Sequence, residues 1–293
     1  MNRRAAPLAA YLASSPEGLR RDSIAMVLCE DEAEVATALR GHLSRGFRQV
    51  LALSPEPLNL PDDLASDARV VNLLHDTRRA DCHVPAVNAL IEAVPEGTWL
   101  YYGYNAEFLF YPFCETRSVG EMLAFHAEER RDAMLAYVID LYAPDLGRHP
   151  NAVSLDEAMF DRSGYYALGR RTADGNDYED RQLDFHGGLR WRFEEHIPAD
   201  RRRIDRIALF RARKGLRVTD DHRFNVAEYN TYACPWHHNL TCVIASFRVA
   251  KALARNPLSR DQISGFTWRN STRFEWSGQQ LLELGLMEPG QWF

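Results

Sequence analysis

Lysine is almost missing from this chain: Lys214 and Lys251 are the only two, and arginine carries nearly all of the positive charge. Genomic base composition explains that bias simply, yet it narrows the chemistry, because a Schiff-base enzyme would have to use one of the pair. No G-x-x-x-x-G-K-[ST], G-x-G-x-x-G, G-x-S-x-G or H-E-x-x-H stretch occurs. The motif evidence for P-loop, dinucleotide-binding, α/β-hydrolase and zincin chemistry is therefore absent. Cysteine is sparse as well. Cys29, Cys82, Cys114, Cys234 and Cys242 are odd in number and never spaced C-x-x-C, which argues against a disulfide framework or a cysteine-built zinc site and fits reduced, buried thiols in a cytoplasm. No stretch approaches the roughly 18 uninterrupted apolar residues of a membrane helix. The net charge of −6 speaks against a general polyanion binder. One local exception is residues 201–217, where eight basic residues face the single Asp205 and Phe210 is the only aromatic. Without aromatic interleaving, this run does not read as a nucleic-acid surface, and no nucleic-acid partner is expected.

What is present is a regular alternation. The 293 residues, 46% hydrophobic and 26% charged, suit one large domain or two small ones. Arg3 and Arg4 before Ala5 to Leu12 faintly imitate a signal peptide, but the apolar part is short and carries Pro7. Residues 1–22 therefore read as a flexible or helical leader. Apolar runs at 23–29, 48–54, 68–74 and 99–104 predict buried strands. Between them, Val35, Leu39 and Leu43, then Val84, Val87, Ile91 and Val94, place apolar stripes on helices. Strand and helix in alternation predict an α/β domain with a mostly parallel sheet flanked by helices. Further on, 133–142 reads as another buried strand, and 204–218 as one or two strands turning at Lys214-Gly215. The polar stretch 169–182 predicts an exposed excursion. Leu240, Val243, Ile244 and Phe247 predict a helix continuing towards Leu253, and 275–286 a last helix.

In a parallel sheet, ligands sit beyond the carboxyl ends of the strands. Those ends here are Cys29-Glu30-Asp31, Ser54-Pro55-Glu56, His75-Asp76 and Tyr104-Asn105-Ala106-Glu107. All four carry polar groups, which makes Glu30, Asp31, His75, Asn105 and Glu107 the candidates for ligand contact.

The segment WLYYGYNAEFLFYPFCETR from Trp99 to Arg117 resembles a stretch of bacterial family 2-like glycosyltransferases of the GT-A type. There a tryptophan-led strand runs into D-x-D-E-F-L, an aromatic-proline pair, a cysteine and T-R. Trp99, Glu107, Phe108, Leu109, Tyr111, Pro112, Cys114, Thr116 and Arg117 match that pattern. Ile139 to Tyr142 is similar to the family's second core strand, and Gly187-Gly188-x-Arg190-x-Arg192-Phe193 to its glycine pair with following arginines. The resemblance, over about 23–250, implies a GT-A-like domain at 23–255 with a helical extension at 256–293. It implies a cytoplasmic enzyme moving a sugar from a nucleotide-sugar donor to a glycan, lipid-linked or small-molecule acceptor, as in polysaccharide biosynthesis, with peripheral membrane contact left open. The alternative is an inactive GT-A-like domain that binds a nucleotide, sugar or protein partner.

The family's two aspartate positions are Tyr104 and Ala106 here, so Asn105 and Glu107 alone offer oxygen ligands. A divalent cation, Mg²⁺ or Mn²⁺, would then bind weakly unless His222 or His238 joined Glu107. Otherwise a nucleoside diphosphate would need guanidinium groups, for which Arg190, Arg192 and the 201–217 run are the candidates. Gly187 and Gly188 are expected on the acceptor side. For general-base work on an acceptor hydroxyl, Asp184, His186 and Asp221 are candidates, each equally a plain loop residue. His237 and His238 beside Trp236 read either as a hydrogen-bonded loop pair or as ligands. Asp140, inside an apolar strand, requires an arginine partner or a role in a site.

Overall fold

A computed structural model describes residues 5–20, 22–232 and 239–292. Inside the expected leader, a two-residue strand β1 (Ala6–Pro7) precedes a short helix α1 (Leu8–Ala13). β2 (Ile24–Leu28) is buried along its whole length, as its unbroken apolar run demands. α2 (Val35–Ser44), β3 (Gln49–Ser54), α3 (Asp62–Ser66), β4 (Val70–Leu74), α4 (His83–Ala93) and β5 (Trp99–Tyr104) continue the expected alternation. A two-residue turn leads to β6 (Glu107–Phe110). α5 (Val119–Glu128) starts on a capping box, in which Ser118 Oγ accepts from the Glu121 amide and the Glu121 carboxylate accepts from the Ser118 amide. Then come β7 (Ala133–Tyr142), β8 (Met159–Asp161), the hairpin β9 (Tyr166–Arg171) and β10 (Tyr178–His186), and α6 (Gly188–Arg192). β11 (Asp205–Arg211), β12 (Cys242–Ser246), α7 (Arg248–Arg255), β13 (Ser271–Arg273) and α8 (Gly278–Glu283) complete the described chain. Among the described residues, no helix is long and apolar enough to cross a membrane.

The elements form two compact units that interleave along the sequence. The first holds residues up to 106, Thr116–Met134 and Ile207–Asn230. Its strands run in the order β1-β4-β3-β2-β5-β11. All neighbours are parallel except β11, which is antiparallel to β5. From β2 the sheet grows through β3 to β4; α4 then carries the chain back to the other side of β2 for β5. That reversal between β2 and β5 is the kind of switch point where open α/β sheets leave a crevice.

The second unit holds Glu107–Glu115, Leu135–Arg206 and residues from 231 on. Its central strand is β12, parallel to β7 and antiparallel to β6. β8 adds antiparallel to β7 and pairs with β13. Tyr142, Leu189, Ala250, Leu253 and Phe266 pack as one buried cluster that seats α6 and α7.

One expectation is corrected here. Residues 242–246 form a strand, and the helix begins only at Arg248. Val243 and Ile244 are β-branched, and every residue of β12 is buried between two neighbouring strands, so no polar face survives to mark the period of two. Four apolar residues at helix-like spacing were the accident of a doubly buried strand. The stretch read as an exposed excursion is the β9–β10 hairpin, with its turn out in solvent.

Candidate functional site

In the first unit, the carboxyl ends of β2 and β5 are tied by Asn105. Its Oδ1 accepts from the Glu30 amide at 2.9 Å, while its Nδ2 donates to Asp31 Oδ1 at 2.6 Å and to the Ala33 carbonyl at 2.9 Å. Asn105 is fully buried. It holds the Glu30–Ala33 loop in shape and has little left to give a ligand. Thr77 adds a second tie, its hydroxyl donating to the Cys29 carbonyl at 2.5 Å. His75 turns away to the Cys82 carbonyl, 2.9 Å from Nε2.

Against that braced loop lies an open cleft of about 460 Å³, lined by Glu30, Asp31, Glu32, Ser54, Glu56 and Arg78, with Val35, Leu58 and Leu60 as its apolar wall. Arg78 donates to Glu56 at 3.1 Å, on the surface. Four carboxylates against one guanidinium make the cleft acidic. It suits groups that donate hydrogen bonds, such as ribose hydroxyls and base N–H groups, and repels a bare diphosphate.

The residues at the D-x-D-like turn are closed off. Tyr104, Asn105, Ala106 and Glu107 are each 0–1% exposed. Ala106 sits at φ 57°, a left-handed turn position. Glu107 opens β6 in the second unit. Arg206 grips it in a two-pronged fork, Nη1 to Oε2 at 2.6 Å and Nη2 to Oε1 at 3.0 Å, and the Ser246 hydroxyl adds a third bond at 3.0 Å. Arg206 is itself only 3% exposed. A single carboxylate already neutralised by a guanidinium does not fit a divalent cation, which seeks several anionic oxygens. Among the described residues, no group of three His, Cys, Asp or Glu could hold a metal ion.

The glycine pair and its arginines are structural in geometry. A Cβ on Gly187 would lie 2.3 Å from the Tyr165 ring, and one on Gly188, at φ 62°, would lie 3.0 Å from Asp140 Oδ2. Only glycine fits at these close approaches. Arg190 is the partner that Asp140 requires: Nη1 donates to Asp140 Oδ1 at 3.0 Å, inside the protein. Burial nonetheless pushes the Asp140 carboxyl up to about 6, with Arg190 offsetting only part of the cost. Arg192 donates to both oxygens of Asp161, at 3.1 and 3.2 Å, and to the Phe266 carbonyl at 2.6 Å, with the Trp268 ring 4.6 Å beneath its guanidinium. Both arginines expected on a pyrophosphate are thus held by internal partners.

The remaining candidates fall in separate surroundings. Asp184 and His186 lie on β10 of the second unit, Asp184 accepting from Arg170 Nε at 3.0 Å and His186 stacked on Tyr166. Asp221 and His222 belong to the first unit. Asp221 accepts from the Thr219 hydroxyl at 2.6 Å and from Arg223 at 3.2 Å. His222, at φ 65°, shares a hydrogen bond with the Tyr102 hydroxyl at 3.1 Å and stacks on His83 with ring centres 4.1 Å apart. His237 and His238 lie outside the described residues.

Sequence reasoning missed Arg206, which looked like one more charge in a basic run. Its place on the same strand face as the buried Ile204, Ala208 and Phe210 was the available signal. Fold and site together define an α/β protein with an acidic cleft at its strand ends. No protein-family model matches the chain, and no curated protein matches it.

Proposed function

We propose that this protein binds a nucleotide-sugar through its nucleoside portion, on a glycosyltransferase-like α/β frame, without a D-x-D-type metal site. This is the second of the two functions the resemblance implies, and one observation favours it over metal-assisted transfer. Glu107, the only carboxylate kept at the D-x-D-like turn, is consumed by Arg206 and Ser246, while the cleft beyond β2 and β3 stays open. In a metal-assisted transfer, a hard cation offsets the charge that develops on the leaving diphosphate. Here neither Glu107 nor the candidate arginines Arg190 and Arg192 is at liberty to help. The acidic lining supports contact with ribose and base rather than with phosphate. A glycan or lipid-linked acceptor belongs only to the transfer reading.

The test is a thermal-shift and calorimetric series with UDP- and GDP-sugars, the nucleosides alone, and Mn²⁺ added or chelated. Binding should raise the melting temperature equally with and without Mn²⁺, and the nucleoside alone should retain most of the effect. Ligand at about 100 times its Kd should add roughly 2.7 kcal/mol of stability. Release of nucleoside diphosphate that depends on Mn²⁺ would refute the proposal and restore the enzyme.

A further inference from the structure

A second cavity, of about 230 Å³, opens in the second unit and uses none of the residues assigned to the nucleotide. Its walls are Tyr137 and Ile139 of β7, Phe185 of β10, Tyr165, Tyr232 and Glu288. The aromatic wall is built edge to face: Tyr137 and Phe185 have ring centres 4.9 Å apart at 65°, Phe185 and Tyr232 5.1 Å apart at 69°. Such packing fixes the rings without covering every face.

Glu288 is the charged member. The Tyr232 hydroxyl donates to its Oε1 at 2.5 Å, and no cationic side chain pairs with it among the described residues. Burial, and after it the neighbouring Tyr232 and Glu288, drive the Tyr137 hydroxyl to hold its proton more firmly. The pocket therefore combines the negative faces of several rings with one carboxylate that no cationic side chain among the described residues pairs with. Both attract a cation, and the rings favour one whose charge is spread over alkyl groups and weakly hydrated. The cavity is smaller than the roughly 300–1,000 Å³ of sites for drug-sized ligands, so it suits a head group and not a whole nucleotide. From this geometry we infer that the pocket binds an organic ammonium group, quaternary or alkylated, with the Tyr137–Phe185–Tyr232 wall around the cation and Glu288 as its counter-ion.

Calorimetric titration of the full chain separates this from its rivals, using choline chloride, the uncharged isostere 3,3-dimethylbutan-1-ol, and glucose. Choline should bind about 10-fold more tightly than the isostere, with glucose weaker still. Glu288→Gln should remove most of that preference, and Phe185→Leu should weaken choline several-fold, with near-UV circular dichroism checking that each variant keeps its fold. The comparison on the unaltered protein needs no variant at all. Equal binding of choline and the isostere, a preference for glucose, or no heat with choline up to roughly 50 mM would overturn the assignment. None of these results touches the nucleotide series, because the two cavities share no residue.

Discussion

Removing Glu107 should unfold more than a contact. With Glu107→Ala, the Arg206 guanidinium stays buried at 3% exposure without the carboxylate that takes both prongs of its fork. The Ser246 hydroxyl loses its acceptor too. Breaking one side of a buried pair typically costs about 3–5 kcal/mol, because the surviving charge stays in a low-dielectric interior. Arg206→Met should cost a similar amount, since Glu107 is fully buried. Taking both away, as Glu107→Leu with Arg206→Met, replaces the pair by apolar volume and should cost only about 0–2 kcal/mol. The double-mutant cycle then yields a coupling of several kcal/mol, far beyond the roughly 0.5 kcal/mol at which distant sites add. Urea unfolding reads the cycle, following the transition of the second unit, which contains both residues. Suppose instead that Glu107→Ala costs under about 1 kcal/mol and abolishes a stabilisation by Mn²⁺. Glu107 would then be a metal ligand, and its fork with Arg206 would not be what it is there to make.

Two buried groups predict opposite pH dependences, and Asn105 a local one. Asp140 is pushed up to about 6 by burial, so between about pH 4 and pH 6 the folded state binds more protons than the unfolded one. Stability falls as pH rises through that window and levels off above it; Asp140→Asn should erase this slope, worth at most about 3 kcal/mol, in denaturation midpoints compared across pH. Burial pulls His126 down to about 4, its Nε2 2.9 Å from the Ala133 carbonyl. Its contribution is complete above about pH 6.5 and is lost as pH falls towards 4, so His126→Gln should flatten an acid-side loss; a slope unchanged in either variant contradicts the assignment. Asn105→Asp turns both donors to Asp31 and Ala33 into acceptors and sets two carboxylates 2.6 Å apart. It should cost more than about 2 kcal/mol, speed amide exchange in the loop after β2 and weaken nucleoside binding; unchanged exchange there would show that the clamp is not what holds the loop.

β2, β3, β4 and β5 were legible because each is a short apolar run closed by polar or turn residues, and β7 was read with the bounds it has, Ala133–Tyr142. β12 was not, since burial on both faces erases the alternation that separates strand from helix. Among site residues, the cost of burying Asp140 called for an arginine partner or a role in a site, and Arg190 supplies the first. The fork on Glu107 was out of reach, because Arg206 stands 99 positions away in the chain; its register with Ile204, Ala208 and Phe210 could mark it as buried but could not name its partner. The clamp by Asn105 was hidden for the same reason: its partners lie 72 to 75 residues earlier. A polar residue at a strand end announces that it needs partners, but only the folded chain says whether those are a ligand or its own backbone.

That distinction bears on what the carboxylate at the Tyr104–Glu107 turn means. Were Glu107 exposed beside Tyr104 and Ala106, a weak cation site would be the natural reading. Instead Tyr104 and Ala106 are both buried, and the Glu107 carboxylate meets a guanidinium fixed within the same unit. A cation entering beside Glu107 would have to displace Arg206, leaving that positive charge buried next to a second one, which costs more than one carboxylate can return. Glu107 is therefore explained by the arginine it neutralises, and its presence in the sequence is no evidence of metal chemistry.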